Sequence, residues 1–208
     1  VRYRPQSALR NLPKSWWSLA DHQKTFQEEW KVYYPYAFKE IVESQASEFD
    51  VKSLLVLSIM RAESRYNVHA RSWVGARGLM QIMPYTGVRI ARLIGDDNFE
   101  VDDLSDPETN IRMGAFYIKR LLNYYRNNPV LAVAAYNAGP IAVDSWLKHC
   151  QGCEPDEFVE SIPYTETRKY VKKVMRNLVN YERIYNGRQN VNFVRDLPTS
   201  LGTGQEMF

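Results

Sequence analysis

The 208-residue sequence has few cysteines (two), few histidines (three) and little net charge: Lys and Arg exceed Asp and Glu by only 27 − 24 = 3. Each scarcity excludes something. Two cysteines cannot hold together a disulfide-dense miniprotein. Cys150, Cys153 and the adjacent His149 lack the fourth ligand that a zinc site requires, no other metal-ligand cluster is present, and no cofactor is implied. The small basic surplus is dispersed, whereas a nucleic-acid binder concentrates its Lys and Arg. No window approaches about 18 uncharged apolar residues, so no helix in the sequence reads as membrane-spanning. Long alternating strand patterns and internal repeats are also missing. The first residue is Val, and no charged-then-apolar leader follows it. The expectation is a processed or trimmed piece whose signal peptide has gone.

What remains is an ordinary globular composition, 45% apolar and 25% charged, with an unusual 13% aromatic content that includes 14 Tyr and 5 Trp. Aromatic excess suits sites that stack on sugar-like ligands, and equally it is good core material. The length fits one domain, or one domain plus extensions, and can bury roughly 70% of the surface of the unfolded chain.

The chain reads as almost all helix. Asp50 is expected to cap a helix running to about Met60–Ala62, apolar nearly all round through Val51, Leu54, Leu55, Val56, Leu57, Ile59 and Met60, as in a helix buried mid-domain. Asp106-Pro107-Glu108 signals a second start, followed by Ile111, Ala115, Ile118, Leu122 and Tyr125 at helical spacing. Val171, Val174, Leu178, Tyr181 and Tyr185 repeat the pattern, and Gly187 is placed to stop that helix. Shorter helices are expected over 36–49, 85–94, 130–137 and 141–149. Residues 1–34 read as an N-terminal extension or linker, 35–187 as the domain and 188–208 as a loose tail. In Cys150-Gln-Gly-Cys153 a thioredoxin-like reading fails for want of a preceding strand. A local disulfide in an oxidising compartment, or two thiols otherwise, both fit.

Glu63 stands at the C-terminal end of the most apolar helix. Desolvation by the core and the negative helix end both disfavour its charge. An ordinary Glu, with a pKa near ~4.3, is protonated about once in 500 molecules at pH 7; raised to roughly 6, it would be protonated about a tenth of the time and could act as a general acid. On helix position alone, a surface Glu satisfied by water is the simpler reading. Around it, Gly75 and Gly78 allow a tight backbone turn, Gln81 and Met83 follow, and Tyr136 and Asn137 fall at the tip of a short helix closed by Gly139-Pro140.

Four motifs occur in order. They are Glu63-Ser64-x-x-Asn67, Gly75-Ala-x-Gly-Leu-Met-Gln-Ile-Met-Pro84, Ala135-Tyr-Asn-Ala-Gly139 and Glu166-Thr-Arg-x-Tyr170. With them the chain resembles the soluble lytic murein transglycosylases from about residue 35 to 186. The resemblance extends to Phe158-Val-Glu160-Ser, as in the catalytic domain of the large soluble enzyme of that group.

The resemblance implies a mainly α, lysozyme-like α+β domain with a small β-hairpin at the active-site cleft, expected at about 70–82. It implies cleavage of the bond between N-acetylmuramic acid and N-acetylglucosamine without water, leaving 1,6-anhydro ends. Glu63 matches the single catalytic acid/base. Ser72, Gln81, Met83, Tyr136, Asn137 and Glu160 match positions along the sugar cleft, although Met83 and Tyr136 read by themselves as core and Glu160 as a surface charge. Glu166, Thr167 and Tyr170 are expected to serve helix capping and packing. The partner implied is the peptidoglycan glycan strand, in the bacterial periplasm or cell envelope, and a monomer is expected. That compartment favours a Cys150–Cys153 disulfide. A hydrolysing lysozyme-like muramidase, which needs a second carboxylate, and a catalytically inactive peptidoglycan-binding scaffold are the alternatives.

Overall fold

A computed structural model of the chain describes residues 29–150, 152–188, 196–198 and 200–202. Expectations for residues 1–28 lie outside these. Among the described residues the architecture is helical: α1 (Lys39–Glu48), α2 (Ser53–Glu63), α3 (Pro84–Ile94), a 3₁₀ turn (Val101–Ser105), α4 (Pro107–Tyr124), α5 (Pro129–Ala138), α6 (Pro140–Lys148), α7 (Pro155–Ser161) and α8 (Thr165–Asn186). Helices α3 to α7 each open on a proline, whose fixed φ and missing N–H suit the first helical position.

The centre is α2, buried through Leu54, Leu55, Val56, Leu57, Ile59 and Met60. Each such side chain contributes about 1.5–3 kcal/mol by leaving water. Helix α8 lies against it with Val171, Val174, Leu178 and Tyr181 inward, and it ends where Gly187 turns left-handed (φ 66°). Between them a row of polar groups crosses the apolar face. The Asn177 amide donates to Ser58 O (3.2 Å), Lys173 Nζ to Ala62 O (2.5 Å) and Tyr170 Oη to Glu63 Oε1 (2.6 Å). These residues fall on one face of α8 by its three- and four-residue spacing.

Asp106 caps α4 as expected, accepting from Thr109 N at 2.9 Å. Asp50 does not cap α2. It takes a left-handed backbone (φ 49°), where an N-cap needs an extended one, and pairs instead with Lys119 at 2.8 Å. The 3₁₀ turn and α7, neither expected, are both started by acidic capping boxes, Glu100 with Asp103 and Glu154 with Glu157. The C-terminal fragments are docked: Gly202 N donates to Tyr124 O (2.8 Å) and the Asn128 amide to Asp196 O (3.4 Å).

The hairpin expected at 70–82 does not form as strands. Two isolated antiparallel bridges, Arg71 with Arg77 and Arg77 with Ile82, are what the segment makes. Left-handed residues at Gly75 (φ 91°), Gly78 (φ 78°) and Gln81 (φ 50°) reverse the backbone too often for a ladder to extend. The segment is held from outside instead. Asn110 of α4, almost fully buried, accepts from Met80 N (2.7 Å) and donates to Arg77 O (3.0 Å) and Leu104 O (2.8 Å). A Cβ at Gly78 would meet Leu104 O at 2.3 Å, and one at Gly114 would meet the Met80 side chain at 2.7 Å. Both close approaches exclude a larger residue.

Candidate active site

Glu63 ends α2 where the helix leaves the core, and Ser64 N closes the turn onto Met60 O. Burial pushes its carboxyl up to about 7. The Tyr170 hydroxyl and the Lys173 ammonium oppose the shift, and the charge of Glu166 adds to it. A carboxyl with that pKa divides evenly between acid and base at neutral pH. Tyr136 and Tyr170 face it from α5 and α8. Burial, and then the Glu63 charge, hold both phenols well above their ordinary range, so both remain neutral donors. Tyr170 donates to Glu63 Oε1, whereas Tyr136 donates to Met80 O at 2.8 Å and thereby fastens the 70–82 segment to α5.

On that segment Ser72 is half-buried and closes its own loop, its Oγ accepting from Ala76 N at 2.9 Å. The Gln81 amide donates to Ala70 O (3.1 Å) and Gly78 O (2.9 Å). Both pairs leave capacity on the same side chain: the serine hydroxyl hydrogen and the glutamine carbonyl. Met83 is half-buried at the N-cap of α3. Asn137 Oδ1 accepts from Thr167 Oγ1 at 2.7 Å, tying the tip of α5 to the first turn of α8. Tyr136 also packs on Tyr117, with ring centroids 5.3 Å apart. Glu63 and Tyr136 are thus brought together, and Tyr136 docks the segment carrying Ser72 and Gln81. Glu160 is separate. It stands 66% exposed on α7, paired with Lys172 at 2.5 Å, and among the described residues no hydrogen bond or ion pair joins it to Glu63.

Of the capping and packing expected of Glu166, Thr167 and Tyr170, Thr167 and Tyr170 do pack inward, but none of the three caps α8. Helix α8 starts at Tyr164 with no side-chain cap, because Thr167 is turned inward onto Asn137 and Tyr170 onto Glu63. Tyr170, Lys173 and Asn110 were missed as site-building residues. For Tyr170 a signal existed: it closes the Glu166-Thr-Arg-x-Tyr170 motif. Asn110 and Lys173 act across the fold, and nothing local marks them. Cys150 and Cys153 are joined, closing the α6–α7 junction. Among the described residues no group of His, Cys, Asp or Glu could hold a metal ion, and none of their helices is long and apolar enough to cross a membrane.

The family model for the transglycosylase SLT domain matches residues 40–159, and that for the soluble lytic transglycosylase helical domain matches residues 161–190. The chain belongs to the SLT-domain family of transglycosylases. It is 34% identical to the soluble lytic murein transglycosylase of Escherichia coli, over 94% of this chain and 30% of that protein. To the Salmonella typhimurium protein of the same name it is 36% identical, over 82% of this chain and 27% of that protein. Among solved structures, an inactive Glu-to-Gln mutant of the lytic transglycosylase Slt from Pseudomonas aeruginosa superposes with a TM-score of 0.73 at 36% identity, covering 78% of this chain and 26% of that one. The 70-kDa soluble lytic transglycosylase in complex with bulgecin A superposes at 0.74 and 32% identity, covering 88% and 28%. The chain therefore spans about 30% of the length of the soluble lytic murein transglycosylases it matches.

Proposed function

We propose that this chain is a lytic transglycosylase of the bacterial cell envelope, with a lysozyme-like domain over residues 35–187. It would cleave peptidoglycan between N-acetylmuramic acid and N-acetylglucosamine. The observation that carries this reading is the Glu63 carboxyl, buried between two neutral tyrosines and poised near pH 7. The related Slt is inactive as a Glu-to-Gln mutant, which accords with an essential glutamate in this chain.

Protonated Glu63 donates to the glycosidic oxygen as the C1–O bond breaks. The neighbouring N-acetyl oxygen stabilises the electron-poor C1 in place of an enzyme nucleophile. The Glu63 carboxylate then takes the proton of the muramic C6 hydroxyl, and that oxygen bonds to C1 of the same ring. Atoms balance with no water consumed, and Glu63 ends protonated as it began. In this reading the Ser72 hydroxyl and the Gln81 carbonyl hold polar groups of the muramyl residue. Met83 packs on the ring and keeps that face dry, Tyr136 and Asn137 line the cleft beside Glu63, and Glu160 contacts glycan or peptide further along.

Hydrolysis would need a second carboxylate to activate water. Asp102 is paired with Arg77 at 2.5 Å, Asp103 caps the 3₁₀ turn and Asp106 caps α4, so these three have structural work. Glu166 is the carboxylate whose charge reaches Glu63, and it is exposed at the start of α8. The retained Glu63, Ser72 and Gln81 argue against an inactive scaffold.

A digest of intact sacculi, read by chromatography and mass, tests the proposal. Anhydro ends, one water lighter than reducing ends, are expected as the dominant product. Mostly reducing ends would put hydrolysis in its place, and no released ends would leave the scaffold.

A further inference from the structure

Among the described residues Lys173 is the lysine that hydrogen-bonds the end of α2, and nothing in the sequence marks it. Its Nζ lies 2.5 Å from Ala62 O, one of the last carbonyls of the helix, which lack partners of their own. The same helix end carries the partial negative charge of the aligned peptide dipoles, directly beside the Glu63 carboxyl. Lys173 lies one turn along α8 from Tyr170, so the two reach the end of α2 from the same side: Tyr170 holds the carboxyl, and Lys173 holds the backbone of the residue before it.

The surroundings make this an unfavourable place for an ammonium without a purpose. Arg61 and Arg65 from α2 and the turn after it, and Arg176 from α8, all repel it, and it is partly desolvated. Glu63 is the group that favours its charge. Facing Glu63 in turn are Tyr136 from α5 and Tyr170, Lys173 and Glu166 from α8, so Lys173 is the cation among them.

We infer that Lys173 is a positioning residue for Glu63, clamping the end of α2 and supplying the positive charge that stabilises the carboxylate formed once the proton has been given to the glycosidic oxygen. This rests on Glu63 being the acid/base of the proposed reaction. It adds that the acid's strength is set by a side chain outside the four motifs. Without Lys173 the carboxylate is less stable, so Glu63 holds its proton to higher pH and donates it less readily.

The two charges are coupled, and coupling is reciprocal: what Lys173 does to the titration of Glu63, Glu63 must do to that of Lys173. The test follows the carboxyl of Glu63 by carbon NMR in the full chain, and the Nζ of Lys173 by nitrogen NMR. In Lys173→Gln, which keeps a donor for Ala62 O but removes the charge, the Glu63 midpoint is expected to rise by roughly half a pH unit or more. In Lys173→Arg it should stay near the wild-type value. In Glu63→Gln the Lys173 midpoint should fall by a comparable amount, and this arm stands if the Gln variant at 173 fails to fold. The alkaline limb of sacculus digestion should move upward in Lys173→Gln. An unmoved Glu63 midpoint in Lys173→Gln, one as high in Lys173→Arg as in Lys173→Gln, or an unmoved Lys173 midpoint in Glu63→Gln, overturns the inference. The titrations need no turnover, so absent anhydro ends from the wild-type chain would strike the proposed reaction alone.

Discussion

The two walls of the site are built on different principles. On one side Glu63 rides on α2, a helix buried by its own apolar side chains and laced to α8 through Asn177, Lys173 and Tyr170. On the other, Ser72 and Gln81 sit on a segment without strands, fixed by Asn110, by Tyr136 and by two glycines that let it approach α4. The first wall derives its rigidity from side-chain burial, the second from backbone groups paired to distant side chains. A proton donor needs a dry, low-dielectric position, which only the packed helix supplies. The groups proposed to hold sugar need free hydrogen-bonding capacity, and an irregular backbone presents it because its own amides turn in several directions.

The largest effect should come from the first wall. Glu63→Gln is expected to keep the fold and lower turnover on sacculi by ~10³-fold or more, the scale of lost general acid–base catalysis. Retention of more than a tenth of wild-type turnover would end the single-acid mechanism. The second wall breaks differently. Asn110→Ala leaves Met80 N and Leu104 O without their partner, while Arg77 O keeps Ile82 N, and denaturant unfolding should show a loss of roughly 2 kcal/mol or more. The Glu63 midpoint should stay put in that variant; a large shift would mean that the two walls are one unit.

A pH comparison sharpens the contrast further. Glu63 is raised from 4.5 to about 7 in the folded chain, so between those values the native state binds more protons than the unfolded one. Stability then falls as pH rises through that window, by about 3 kcal/mol at most. Glu63→Gln escapes this loss. Measured against wild type, it should gain stability steadily from about pH 4.5 to 7 and level off above; parallel stability curves would contradict the buried carboxyl. The smallest expected effect is that of Tyr170→Phe, which removes one hydrogen bond to the carboxylate. The Glu63 midpoint should move up, and turnover at neutral pH should fall roughly tenfold. A downward shift in the titration would mean that the hydroxyl serves the protonated form instead.

The same division decides how much could be read in the sequence. Helices whose apolar residues recur at helical spacing, such as those carrying Ile111, Ala115 and Ile118 or Val171, Val174 and Leu178, are legible because burial acts on each residue by itself. Glu63 ends the most apolar helix, but position alone favours a surface charge there, and the four motifs are what single it out. The hairpin was expected from the resemblance, and three left-handed residues replace it with isolated bridges. Asn110 and Lys173 escaped because their roles depend on partners 30 and 111 residues away, and the motif that holds Tyr170 does not reveal its partner 107 residues away. Asp50 misled because an acid before an apolar run is also what a left-handed turn can carry.

The proline at the start of each helix from α3 to α7 has a consequence in the unfolded chain. A ring that fixes φ removes conformations before folding begins, and each well-placed proline stabilises the native state by about 0.4–1 kcal/mol through that reduced freedom. Two of the five stand next to positions proposed to line the cleft: Pro84 directly follows Met83, and Pro140 closes the turn after Tyr136 and Asn137. In the proposed reading, a glycan strand meets side chains flanked by backbone that the two rings already restrict.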